Sequence, residues 1–162
     1  DGMAVCFSEE DVRPTGRTAM GVRGIRLRAG DYVVGAESTS AGSHLLTITE
    51  NGYGKRTDVN EYSVHGRGGI GIKNYNVTQK TGKIAAVEMV DDSDDILVIT
   101  DDATIIRMAV ERISVLGRST QGVRIMRLSE GSRVISIEKT ESDGGDDSAA
   151  EQEETAETPA EE

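Results

Sequence analysis

Ten basic side chains, eight of them at recurring places, set the chemistry this chain can do. Arg17, Arg67 and Arg118 share one place, Arg23, Lys73 and Arg124 a second, and Arg26 and Arg127 a third, while Lys55 and Arg56 follow a turn in the second unit. Guanidinium and ammonium groups at a fixed period suit a polyanion whose charges are themselves periodic, because each can make a charge-assisted hydrogen bond to a phosphate oxygen. If the repeating units lie side by side around a centre, equivalent positions fall on one rim and form a curved positive belt. Such a belt is a track for duplex DNA, held by its phosphates and bent without its bases being read. The same residues also fit solvated strand faces, balanced by acids, on a propeller that binds proteins. Periodicity alone leaves both readings open.

Other chemistries find little support. Residues 66–71, GRGGIG, match the spacing of a dinucleotide-binding glycine loop, but the following IKNYNVTQKTG is strand-like and opens no helix. His44 and His65 lack Cys or His neighbours at ligand spacing and read as surface residues. Asp91, Asp92, Asp94 and Asp95 lack the glycine and closing glutamate of a calcium loop and read as a solvated loop. Cys6, the one cysteine, falls in an expected strand and reads as a small core residue in a reducing compartment. No Ser/His/Asp set or carboxylate pair recurs, so no catalytic residue, metal or cofactor is assigned to this segment.

The elements that must position the basic residues repeat as well. Residues 16–27 read GRTAMGVRGIRL, 66–75 GRGGIGIKNY and 117–128 GRSTQGVRIMRL, with first glycines 50 and 51 residues apart. A period of this size signals stacked or radially arranged units. In the second unit Leu45 to Thr49, Asn51-Gly52 and Tyr53 to Thr57 read as a hairpin. In the third, Asp101-Asp102 joins Leu97 to Thr100 with Thr104 to Met108. The first unit opens at Asp1-Gly2 without a leading strand, which reads as a cut inside a hairpin. Each unit continues with a β-rich run (Gly21 to Leu27, Gly71 to Tyr75, Gly122 to Leu128). A glycine turn and a last strand follow (Tyr32 to Ala36, Ile84 to Val90, Val134 to Ile137). Gly21, Gly71 and Gly122, in register, read as one recurring turn or bulge. The expected fold is all-β, with propeller-like blades of about four strands: a partial blade over 1–44, a blade over 45–95, and a last blade over 96–139.

The net charge of −11 is concentrated at one end. Residues 140–162 carry ten acidic and no basic side chains, leaving 19 acids against 18 bases in residues 1–139. This tail has no aliphatic residue larger than alanine, so it is expected to be disordered. It either competes with phosphate for the basic rim or serves only solubility. The absence of a long apolar run or a signal peptide reads as a soluble, cytoplasmic protein without membrane contact.

The runs ENGYGKRTDVNEY (50–62), GRGG (66–69), ILVITDD (96–102) and RISVLGRSTQGVRIMRL (112–128) resemble the C-terminal domain of DNA gyrase A. The resemblance covers residues 1–139 and points to the last blades of that domain with its acidic tail. It implies a six-bladed β-pinwheel whose blades exchange strands, of which this would be the C-terminal part. It also implies that double-stranded DNA wraps on the basic rim of a type IIA topoisomerase. The holoenzyme would be a heterotetramer of two gyrase A and two gyrase B polypeptides, in which gyrase B uses ATP and Mg2+ to introduce negative supercoils. The family's wrapping motif, Q-R-R-G-G-[KR]-G, is not in this sequence. HGRGGIG (65–71) keeps Arg67, Gly68, Gly69 and Gly71 but has His65, Gly66 and Ile70 at the other places, which implies a weaker DNA contact. The family's active-site tyrosine lies outside the resemblance, so Tyr32, Tyr53, Tyr62 and Tyr75 are not assigned that role. The alternatives are the corresponding polypeptide of topoisomerase IV, which decatenates, and a non-enzymatic propeller scaffold.

Overall fold

In a computed structural model, residues 1–142 are described. Nine strands and three single 3₁₀ turns make up their regular structure. Six strands build two adjacent blades. In one, β2 (His44–Thr49) pairs antiparallel with β3 (Tyr53–Asp58) and with β5 (Ile84–Val90). In the next, β6 (Asp94–Thr100) pairs with β7 (Ile105–Ala109) and β9 (Val134–Glu141). Gly52 closes the first hairpin with φ +74°, donating to the Thr49 carbonyl. The third repeat makes the same corner with Ala103 at φ +65°, a conformation a side chain adopts at a cost.

The fourth strand of a blade comes from the following repeat. β8 (Val123–Arg124) joins the outer edge of β3 in the order β5-β2-β3-β8, with Tyr53 opposite Arg124. One repeat earlier, β4 (Ile72–Lys73) pairs with β1 (Met3–Ala4), with Met3 opposite Lys73. The parallel bridges Cys6 to Val64 and Arg56 to Val115 repeat the same handover. The strand exchange that the resemblance implied is therefore present at both junctions. Gly71 and Gly122, at φ +74° and +73°, make it possible. A Cβ on Gly122 would lie 2.6 Å from the Gly54 carbonyl oxygen, and one on Gly71 would overlap that of Ala4.

The core lies between the two complete hairpin sheets. Leu46, Ile48, Val90, Ile96, Val98, Val110, Ile113, Met126, Val134 and Ile137 form one buried cluster. Lys139 fastens the sheets together, its Nζ donating to the carbonyls of Met89 (2.9 Å) and Ala41 (3.0 Å).

Two strand expectations fail in the first repeat. Gly21 to Leu27 and Tyr32 to Ala36 form no strand, and Tyr32 and Val33 are more than half exposed. Their counterparts show why. β8 needs the hairpin strand of the preceding repeat, and β5 and β9 need the leading strands β2 and β6. The described chain offers neither partner to residues 21–36. In the other repeats the β-rich runs shrink to two strand residues each, whereas the last strand runs past Ile137 to Glu141. Of the tail expected to be disordered over 140–162, Thr140 and Glu141 instead close β9, and residues 143–162 lie outside the described residues.

Candidate nucleic-acid interface

Lys73 and Arg124 are the exposed ends of the two exchanged strands, so they occupy one register position on the outermost strands of successive blades. Arg23 holds the equivalent place in the first repeat and is exposed, as are Arg17, Arg26 and Arg127. Arg124 leans on Tyr53, donating from Nη2 to its hydroxyl at 2.8 Å with the guanidinium 5.3 Å from the ring centre. Stacking of this kind orients a cation without neutralising it. Among the described residues the Lys73 Nζ reaches the side-chain oxygen of Asn76, at 3.2 Å.

The arginine of the Gly-Arg element lies against this row. Arg67 donates from Nη1 to the carbonyl of Arg23 (3.3 Å) and from Nε to that of Asp11 (2.9 Å). One repeat on, Arg118 donates from Nη1 to the carbonyl of Lys73 at 2.9 Å, and its backbone N–H meets the Glu61 carboxylate at 3.1 Å. Each such arginine is thus a staple to the preceding repeat and also brings a second cation beside the rim residue. Arg17 has no such contact among the described residues. The pairs Arg23 with Arg67 and Lys73 with Arg118 follow each other at the period of the blades.

Lys55 and Arg56 do not belong to this row. Both are buried, because β3 is covered on one side by the core and on the other by the next repeat. Lys55 donates from Nζ to the carbonyls of Gly117 (2.7 Å) and Arg118 (2.6 Å) and lies 5.4 Å from the Tyr75 ring centre. Arg56 bonds the Ile113 carbonyl from Nε at 2.7 Å and pairs with Asp92. A cation without exposed surface cannot meet a phosphate, so the reading of these two as DNA contacts gives way to a structural one. The sequence held a warning, since the Lys55 place is Val5 in the first repeat and Ile106 in the third.

Burial pushes the Lys55 ammonium down to about 8, with Arg118 adding to the shift and Glu61 opposing it. The unfolded chain keeps the proton up to the usual lysine range near 10.5. Between these values the unfolded state holds more protons, so stability rises with pH; below about 8 both states are protonated and the slope vanishes. Burial raises the Tyr62 and Tyr75 hydroxyls to about 12, which turns the sign against stability only above pH 10. Urea midpoints are therefore expected to climb from pH 8 to 10 and to lose that climb in Lys55→Met. Equal slopes in the two chains would refute this account.

The acidic loop and one of the two histidines also differ from expectation. Asp92 pairs with Arg56, Asp95 with Arg107 (2.8 Å), and Asp91 accepts from Ser43 (2.7 Å), so the loop is a set of structural anchors. His44 opens β2 with its side chain only 17% exposed, whereas His65 is at the surface. Cys6 is half-buried. Tyr53, Tyr62 and Tyr75 are buried, with Tyr62 bonded to Asn74 and Tyr75 to the Gln121 carbonyl. Among the described residues no three His, Cys, Asp or Glu side chains gather as a metal would require. No helix among them is long and apolar enough to cross a membrane.

The sequence profile of the family described as "DNA gyrase C-terminal domain, beta-propeller" matches residues 1–40, 43–91 and 94–141, one match per repeat. The chain belongs to this family. The DNA gyrase A protein of Staphylococcus aureus is 42% identical over 152 residues, which is 93% of this chain and 17% of the relative. That of Staphylococcus epidermidis is 47% identical over 135 residues, 82% of this chain and 15% of the relative. The chain therefore spans about a sixth of the length of these relatives. A solved DNA gyrase A C-terminal domain superposes with a TM-score of 0.80 at 31% identity, covering 85% of this chain and 47% of that one. The C-terminal domain of DNA topoisomerase IV gives 0.77 at 28% identity, covering 86% and 44%. Membership in this family accounts for the threefold repeat and its β-propeller architecture.

Proposed function

We propose that this chain is a DNA-binding and DNA-wrapping segment of DNA gyrase A. The observation that carries the reading is the recurrence of one cation pair, Arg23 with Arg67 and Lys73 with Arg118, at successive blade rims. Such a row meets phosphates at intervals and favours a curved duplex. The bend costs about 1–6 kcal/mol over 20–30 base pairs, which the ionic contacts must offset. With about six phosphates engaged, log K falls against log salt with a slope near −5, about −0.9 per contact.

The test uses Arg23, Lys73 and Arg124, whose charged ends hold no backbone carbonyl. Changing all three to alanine is expected to weaken random duplexes uniformly and to flatten the salt slope by about 2.7, three contacts at about 0.9 each. A slope equal to that of the parent chain would refute the rim. Arg67 and Arg118 are poor probes, because their removal also unfastens the repeats.

In the whole protein the wrap would present a DNA segment to a type IIA topoisomerase in the cytoplasm. Gyrase B would complete a heterotetramer and use ATP and Mg2+ to drive negative supercoiling. The similarity to the topoisomerase IV domain supports a second reading. Supercoiling of relaxed DNA by the full-length protein favours gyrase; decatenation without supercoiling favours the alternative.

A further inference from the structure

The tips of the Gly-Arg elements carry a pattern that the cation row does not use. Between the arginine and the glycine in register lie Thr18-Ala19-Met20, Gly68-Gly69-Ile70 and Ser119-Thr120-Gln121. None of these residues is charged. The first two of each triplet are small, so the third side chain is the one prong of its tip. Met20 is fully exposed, Ile70 is 54% exposed, and Gln121 is exposed. A lone apolar side chain at a surface needs no explanation. Two at one repeat position, each next to rim arginines, call for one.

The second and third tips are docked in the same way. The Arg26 N–H donates to the Gly69 carbonyl at 2.8 Å, and the Asn76 N–H to that of Thr120 at 3.0 Å. The arginine before each triplet reaches the rim residue's carbonyl, Arg67 that of Arg23 and Arg118 that of Lys73. Behind Ile70, Gly71 is pressed on the preceding repeat, where an added Cβ would lie 2.2 Å from the Ala4 carbonyl oxygen. The backbone is thus fixed on both sides of Ile70. An apolar side chain is held out on a rigid loop, among glycines that leave the loop bare, beside Arg23, Arg26 and Arg67. Phosphates satisfy those arginines. Between the two phosphate strands of a duplex, the narrow groove offers deoxyribose C–H edges and the base acceptors N3 and O2. Isoleucine and methionine suit the first, and a glutamine amide donates to the second. A carboxylate would be repelled there, and none is present in the triplets.

We infer that Ile70, with Met20 and Gln121 at the equivalent tips, enters the minor groove of the bound duplex and makes an uncharged contact there. This contact presupposes the DNA binding proposed above and adds to it a share of affinity that salt does not screen. A wrapped duplex turns its minor groove toward the protein about every ten base pairs. Flexible pyrimidine–purine steps at those places open to an apolar side chain at least cost.

Duplex binding by the full chain over a salt series tests it, with Ile70→Ser, Ile70→Leu and Ile135→Ser. Ile70→Ser is expected to weaken binding about fivefold at every salt concentration, the return of half an isoleucine side chain to water, with the parent's salt slope. Ile70→Leu should bind as the parent does. Ile135 is 55% exposed on β9, at the sheet edge opposite β7, and Ile135→Ser should leave affinity unchanged. The parent should also prefer a duplex with TA steps about every ten base pairs over one with G·C pairs in their place, and Ile70→Ser should lose that preference. Equal affinity of Ile70→Ser and the parent would overturn the inference and leave the DNA reading standing. So would a loss accompanied by a flatter slope, which marks a disturbed Arg23 or Arg67. A parent chain without salt-dependent duplex binding would overturn both.

Discussion

Gly122→Ala is expected to detach β8 from β3 and to cost about 2–5 kcal/mol, a strained left-handed backbone plus forced overpacking. Two demands meet at this residue. Its φ is +73°, and an added Cβ would lie 2.6 Å from both the Gly54 carbonyl oxygen and the Tyr75 hydroxyl. Neither neighbour can yield cheaply, because Gly54 is in the hairpin strand and the Tyr75 hydroxyl is bonded to the Gln121 carbonyl. The contrast is Gly21, at the same repeat position with φ +75° and nothing within 4 Å of its would-be Cβ. Gly21→Ala bears the backbone term alone, about 1–2 kcal/mol. Urea midpoints of the two variants measure the difference. If both lose the same stability, the glycines are turn residues and the strand exchange does not need them.

That pair of glycines also shows what a one-dimensional reading can and cannot reach. The repeat, the Asn51-Gly52 hairpin and the recurring glycine turn are local signals, carried by residue types whose backbone preferences hold in any context. The partner of Val123–Arg124 is a different matter. Two residues specify no register, and only a neighbour some seventy places back completes the pairing of Arg124 with Tyr53. In the first repeat the same types stay unpaired for want of that neighbour. Charge misled in a related way. YGKRTD reads as a strand with a wet face, yet its first five residues are buried, because the following repeat covers the face that would have been wet. The arginines of the Gly-Arg elements were legible as a periodic row, but their hydrogen bonds to Asp11, Arg23 and Lys73 depend on which repeat packs on which.

Arg56→Met is expected to destabilise the chain by about 1–3 kcal/mol while leaving the salt slope of DNA binding unchanged wherever the protein stays folded. The Arg56 guanidinium is 6% exposed and reaches three groups of the next repeat and the acidic loop: the Ile113 carbonyl, the Glu111 carbonyl at 3.3 Å, and Asp92. Ile113 is itself 1% exposed, so its carbonyl would be left without a donor and without water, a cost of about 1–3 kcal/mol before any loss of packing. Asp92 lies 70% exposed and can turn to solvent, so its share of the loss is small. Arg56→Lys should rescue little, because a single ammonium cannot span the planar fork that joins Ile113 to Asp92. Arg127→Ala, an exposed rim substitution, belongs to the opposite class: stability within about 0.5 kcal/mol of the parent. A flattened salt slope in Arg56→Met at full folding would return this residue to the DNA-binding row. An unchanged slope with a large fall in the urea midpoint separates the cations that build the blade from those that line its rim.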